Sequence, residues 1–160
     1  MLARRPTRPF SKMTMWRRAL VALSLISVAG AALAIDYRSV TVPAAILYDA
    51  PSQQGKKLYL IKAQTPVEVV VKVEGWFKVR DAEGTLAWIE SRNLAERRTL
   101  VVTAPMAEIR QSDKPESPVI LELEKWVAVD FVESAAPGWV KVRHRDGAVG
   151  YIRATQVWGL

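Results

Sequence analysis

The segment Gly75-Trp76-Phe77-Lys78-Val79-Arg80 recurs as Gly138-Trp139-Val140-Lys141-Val142-Arg143, 63 positions later. At the same offset Gly84 falls on Gly147, Trp88 on Tyr151 and Ile89 on Ile152. Upstream, Val67-Glu68-Val69 matches Val127-Ala128-Val129 at an offset of 60, and the longer turn Ser134-Ala135-Ala136-Pro137 takes up the difference. Loops accept insertions where strands do not, so a motif that repeats across a slipped loop marks a duplicated structural unit. Two copies of about 60 residues are too few for a solenoid. Two small domains fit, 35–97 and 98–160, joined by the charged link Ala95-Glu96-Arg97-Arg98.

Each copy reads as β. Short runs of Val, Ile and aromatics alternate with turn signals, and no window after residue 34 sustains a helical apolar stripe. The strands expected in the first copy are 39–42, 45–48, 57–61, 67–72, 76–80 and 85–89. In the second they are 100–103, 107–110, 119–123, 127–132, 139–143 and 148–152. So many short strands in so few residues predict a small closed barrel per copy, because closure removes exposed strand edges.

The net charge of +7 invites a nucleic-acid or anionic-membrane reading until the charges are located. Arg4, Arg5, Arg8, Lys12, Arg17 and Arg18 lie in the first 18 residues, and no acid precedes Asp36. Without residues 1–34 there remain 17 Lys and Arg against 16 Asp and Glu, too even a balance for a phosphate-binding footprint. The basic start, the apolar run from Ala19 and the small-x-small triplet Ala32-Leu33-Ala34 have the order of a secretory signal peptide over 1–34, cleaved after Ala34. The alternative is an uncleaved anchor in the inner membrane, for which the run is short against the ~20 apolar residues a span needs. Arg17-Arg18 is read as part of an ordinary leader rather than a twin-arginine signal. A periplasmic or secreted location follows. With no cysteine, the domains gain nothing from disulfides and no thiol chemistry is available.

Gly75-Trp76-x-Lys78-Val79-Arg80 followed by a hairpin and Ala87-Trp88-Ile89 resembles the core motif of bacterial SH3-like domains. The stretch from Pro66 to Thr99 and the closing Trp158-Gly159 are similar to a subfamily of exported tandem SH3-like proteins. The resemblance spans 39–159. It implies two tandem SH3-like β-barrels and a non-catalytic module, whose relatives bind peptidoglycan, its peptide crosslinks or proteins. Departures from the family pattern are Ala87 for a glycine, Leu47-Tyr48-Asp49-Ala50-Pro51 in a candidate ligand-facing loop, and Trp126 where a turn glycine is usual.

No catalytic constellation is legible. His144, the only histidine, sits beside the Arg145-Asp146-Gly147 turn and reads as a solvated side chain. Three protein ligands around an open metal position are not assembled, no nucleophile-elbow spacing occurs, and no cofactor is implied. The candidates are aromatic. Gly84 in the three-residue turn Ala82-Glu83-Gly84 predicts pairing of Asp81 with Thr85, Val79 with Ala87 and Phe77 with Ile89. Those apolar residues then point inward, and Trp76, Lys78 and Trp88 point outward with Lys78 opposite Trp88. Copy two repeats the division, with Val140, Val142, Gly150 and Ile152 inward and Trp139, Lys141 and Tyr151 outward. Such strips can hold a sugar ring or peptide by stacking and charge, unless a loop or the neighbouring copy covers them. Tyr48 and Asp49 join the candidates because Ala45-Ile46-Leu47-Tyr48-Asp49 echoes the groove motif of eukaryotic SH3 domains. Copy two lacks both residues at Ala107-Glu108-Ile109-Arg110. Glu122, Glu124 and Lys125 read as a solvated face. The expected partner is peptidoglycan or an envelope protein, and no nucleic acid.

Overall fold

Glycines and local hydrogen bonds fix the hairpins from which both copies are built. The structure, a computed structural model, describes residues 35–160; the signal peptide helix that the sequence predicts over 1–34 and its cleavage point lie outside the described residues. The first copy comprises β1 (Tyr37–Val40), β2 (Ala44–Tyr48), β3 (Lys57–Lys62), β4 (Pro66–Val73), β5 (Trp76–Arg80), β6 (Leu86–Glu90) and β7 (Leu94–Ala95). The second comprises β8 (Thr99–Val102), β9 (Met106–Arg110), β10 (Val119–Glu124), β11 (Ala128–Ser134), β12 (Trp139–Arg143), β13 (Val149–Arg153) and β14 (Val157–Trp158). Each copy forms one seven-stranded sheet, ordered β3-β2-β6-β5-β4-β1-β7 and β10-β9-β13-β12-β11-β8-β14. All the pairings are antiparallel.

The all-β class and the duplication are as expected; closure is not. Among the described residues no ladder joins β3 to β7 or β10 to β14, so neither sheet is a hydrogen-bonded barrel. Two local features bend each sheet without closing it. The long strands β4 and β11 carry bulges, at Val69/Val71 and Phe131/Glu133, and bulges raise the twist. The corners β2–β6 and β9–β13 share single register pairs, Tyr48↔Trp88 and Tyr151↔Arg110. Each curled sheet encloses its own apolar cluster, around Leu47, Val67, Val79 and Ile89 in copy one and Leu100, Ile109, Val142 and Ile152 in copy two.

The correspondence between copies needs one correction. The Val40 and Val102 amides donate to the carbonyls of Thr65 and Val127, and the Gln64 and Trp126 amides donate back to Val40 and Val102. The offset before the hairpin is therefore 62, and buried Val67 matches buried Val129 rather than Val127. Triplets of Val, Glu and Ala are too alike to place a strand within two residues. The short 3-10 helices Ser91–Asn93 and Ala154–Gln156, which swing the chain back to pair β7 with β1 and β14 with β8, carry no periodic signal to be read.

The copies meet along β1, β8, β14 and the link between them. The buried hydroxyls of Ser39 and Thr99 lie 2.6 Å apart, and Thr99 donates to the Gln64 carbonyl at 2.8 Å. Trp158 packs edge-to-face on Tyr37, with ring centroids 5.1 Å apart. The Arg98 guanidinium lies over Phe131 at 4.7 Å and over Tyr37 at 6.0 Å, and its Nε donates to the Gly159 carbonyl. Gly159 itself, at φ 112°, has no space for a side chain, because a Cβ would stand 2.8 Å from the Thr99 carbonyl. None of the outward Trp–Lys strips enters these contacts.

Candidate functional site

The site is set by a turn. The Asp81 amide donates to the Thr85 carbonyl at 3.1 Å, and Gly84 takes φ 86° while its amide donates to the Asp81 carbonyl. The Asp81 carboxylate accepts from the amides of Glu83 (3.0 Å) and Thr85 (2.8 Å). This closed turn fixes the register Phe77↔Ile89, Lys78↔Trp88 and Val79↔Ala87, and alternation turns Trp76, Lys78 and Trp88 to the outer face. In copy two His144 pairs with Ala148 around Gly147 at φ 97°, giving Val140↔Ile152, Lys141↔Tyr151 and Val142↔Gly150. Both registers agree with those expected from the turn length.

The two outer faces differ in what covers them. In copy one Trp76 and Trp88 are half-buried, and Lys78 Nζ stands 5.9 Å from the Trp88 ring. Tyr48, paired with Trp88 across β2–β6, packs edge-to-face on Trp76 at 5.3 Å and is itself buried. Lys78 makes no ion pair among the described residues. In copy two the register turns Trp139 to the outer face as expected, but the side chain is covered there and only 7% exposed. The Arg153 guanidinium lies over its ring at 4.7 Å, and the Ala136 amide donates to Asp113, tying the preceding turn to the 111–118 loop. Lys141 lies 5.9 Å from the Tyr151 ring but is engaged by Glu133 at 3.0 Å, and that carboxylate holds its pKa above the usual lysine value. Asp49 is exposed, yet its carboxylate accepts the Lys56 amide at 2.8 Å and closes its own loop.

Beside Trp76 opens a cleft of about 440 Å³ lined by Pro51, Gln53, Glu90 and Arg92 among others. Gln53 Nε2 donates to Glu90 at 2.8 Å, and Arg92 forms an ion pair with the same carboxylate. Gln53, Glu90 and Arg92 were not among the sequence candidates. The register that placed Lys78 across from Trp88 also places Glu90 across from Trp76, so Glu90 at least was legible. Gln53 and Arg92 come from a loop and a 3-10 turn with no pattern of their own. The arrangement offers an aromatic wall, a carboxylate, an amide and two cations, which suits stacking with a sugar or peptide and pairing with its charged ends. Among the described residues no group of three His, Cys, Asp or Glu side chains is placed to hold a metal ion.

His144 is not the solvated side chain expected from its place at a hairpin. It is 14% exposed, with Nδ1 2.9 Å from Asp146. It stands where Asp81 stands in copy one and lines a larger groove, about 760 Å³, between the copies. None of the predicted site residues reaches that groove.

The bacterial SH3 domain matches twice, over residues 41–96 and 103–159. No curated protein matches the chain. Among solved structures it is similar to NlpC2 and NlpC1 from Trichomonas vaginalis, at 16% and 15% identity and a TM-score of 0.37 for both. Those alignments cover 78% and 77% of this chain but 48% and 45% of theirs. An NlpC/P60 family protein from Bacillus cereus is 17% identical, with a TM-score of 0.36 over 76% of this chain and 55% of its own. The chain thus spans about half the length of those proteins. With the two domain matches together taking up well over half of its residues, the chain belongs to the bacterial SH3 domain family, as a tandem pair.

Proposed function

We propose that this is an exported, non-catalytic binding module of the bacterial envelope, which recognises peptidoglycan or its peptides through the outer face of copy one. The observation that carries the reading is the asymmetry between the copies. Copy one leaves Trp76 and Trp88 partly open beside Lys78, which has no ion pair among the described residues, and a cleft holding Glu90, Gln53 and Arg92. Copy two buries the equivalent tryptophan under Arg153 and neutralises the equivalent lysine with Glu133. Copy two then acts as a brace, and copy one as the reader. The leader over 1–34 delivers the module, and binding requires no cofactor, metal or nucleic acid.

Sedimentation with isolated cell-wall sacculi tests this. The purified protein is expected to pellet with sacculi, Trp88→Ala to remain in the supernatant, and Tyr151→Ala to pellet like the parent. No pelleting of the parent, or equal loss in both variants, would contradict the reading. A second reading, a scaffold for an envelope protein, is favoured by one feature. Val70, Val71 and Val73 at the end of β4 are each more than 40% exposed, an apolar run of the kind that marks protein contacts.

A further inference from the structure

The groove between the copies has an unusual wall. Residues 59–62 of β3 and 121–124 of β10 all line it. A strand that presented a face to a cavity would contribute every second residue. Four in a row mean that its edge is what the cavity sees. Among the described residues strands β3 and β10 are end strands of their sheets, each paired on one side only, with β2 and β9. Two β edges therefore look into one groove; the Lys62 and Glu124 carbonyls accept the amides of Thr65 and Val127, and the other outward backbone groups along the edges offer a template for an added strand.

Side chains along these edges define what that strand would carry. Leu60 is 63% exposed and Trp126 is 45% exposed, both on the groove lining. Trp126 has φ 72°, a left-handed conformation costly for a bulky side chain, and Gln64 holds the same place in copy one at φ 65°. The tryptophan ring already has a cation on it, Lys125 Nζ at 4.5 Å from its centroid. Asp81, Glu83, Glu122 and Glu124 face the groove against Lys62 and Arg145, so carboxylates predominate. The carboxylates of Glu83, Glu122 and Glu124 enter no ion pair among the described residues. The sequence presents Glu122, Glu124 and Lys125 as a plain solvated face; the fold sets the two acids along a free edge.

We infer that the inter-copy groove binds an extended peptide segment by strand addition to β10, with lysine or arginine side chains set against Glu122, Glu124 and the Trp126 ring. Backbone pairing supplies the affinity in this mode, and the acids supply the choice of a cationic partner. The site is separate from the aromatic face of copy one and stands whether or not that face binds the wall.

The test titrates the isotope-labelled protein with a blocked peptide of alternating lysine and valine, and with its glutamate–valine counterpart. The lysine peptide is expected to shift the amides of residues 119–124 and slow their hydrogen exchange, while the glutamate peptide does neither. Glu122→Gln with Glu124→Gln should weaken binding about tenfold or more. Trp126→Gly should weaken it too, while its unfolding midpoint stays at or above the parent's because glycine relieves the left-handed backbone. That pairing separates lost binding from lost folding. No binding at millimolar peptide, equal binding of the glutamate peptide, indifference to these variants, or shifts confined to the Trp76–Trp88 face would each overturn the proposal.

Discussion

At Gly150 a β-carbon would stand 2.4 Å from the Arg110 carbonyl and 2.7 Å from Ile109 Cγ2, and neither a backbone oxygen nor a packed isoleucine can retreat cheaply. Gly150→Ala is therefore expected to destabilise the protein by about 2–4 kcal/mol in denaturant unfolding, as overpacking against a backbone does. The corresponding position in copy one is Ala87, buried and accommodated, so the departure from the family glycine costs copy one nothing visible. Tyr59 gives a second test. Its hydroxyl donates to Asp81 at 2.7 Å, and burial, then that carboxylate, push its pKa well above the ordinary phenol value. A folded-state pKa raised in this way contributes stability that is complete below the unfolded value of about 10 and is lost as pH climbs toward the folded value. Stability should thus fall more steeply above about pH 10 in the parent than in Tyr59→Phe, measured by denaturant midpoints across that range. Individual outward residues were legible from the sequence because a turn of known length fixes which side chains share a face. Their cover was not. Trp139 lies under Arg153, and the turn before it is tied to Asp113 through the Ala136 amide; such contacts follow from no local pattern.

The hairpin turns decide most at the scale of elements. Asp81 accepts two amide hydrogen bonds within the β5–β6 turn and one from Tyr59, which joins that turn to β3. Asp81→Ala should cost about 2–3 kcal/mol, because two amides and a half-buried hydroxyl lose their acceptor together. The β5–β6 and β12–β13 hairpins were readable residue by residue, since glycine in a left-handed turn position and alternation are local properties. Closure was not readable, because it depends on whether the two end strands of a sheet reach each other. The bulges in β4 and β11 and the two-residue strands β7 and β14 decide that, and none of them carries a sequence signature. The edges left open in this way are also what gives the groove its strand-pairing walls.

As a whole molecule the protein is two cores held by one seam. Thr99 bonds across it to Ser39 and Gln64, Trp158 packs on Tyr37, and Arg98 bridges rings of both copies. Buried polar pairs and shared aromatics couple the cores energetically, so the protein should unfold in one transition by both tryptophan fluorescence and far-ultraviolet circular dichroism; two separated transitions would contradict that coupling. The seam also leaves the outer face of copy one free, on which the functional account depends. The most direct measurement is an NMR titration of the protein with a soluble muropeptide, following the indole N–H signals of Trp76, Trp88, Trp126, Trp139 and Trp158. The account predicts shifts centred on Trp76 and Trp88 with Trp139 and Trp158 unmoved. Shifts centred on Trp139, or none at saturating muropeptide, would contradict it.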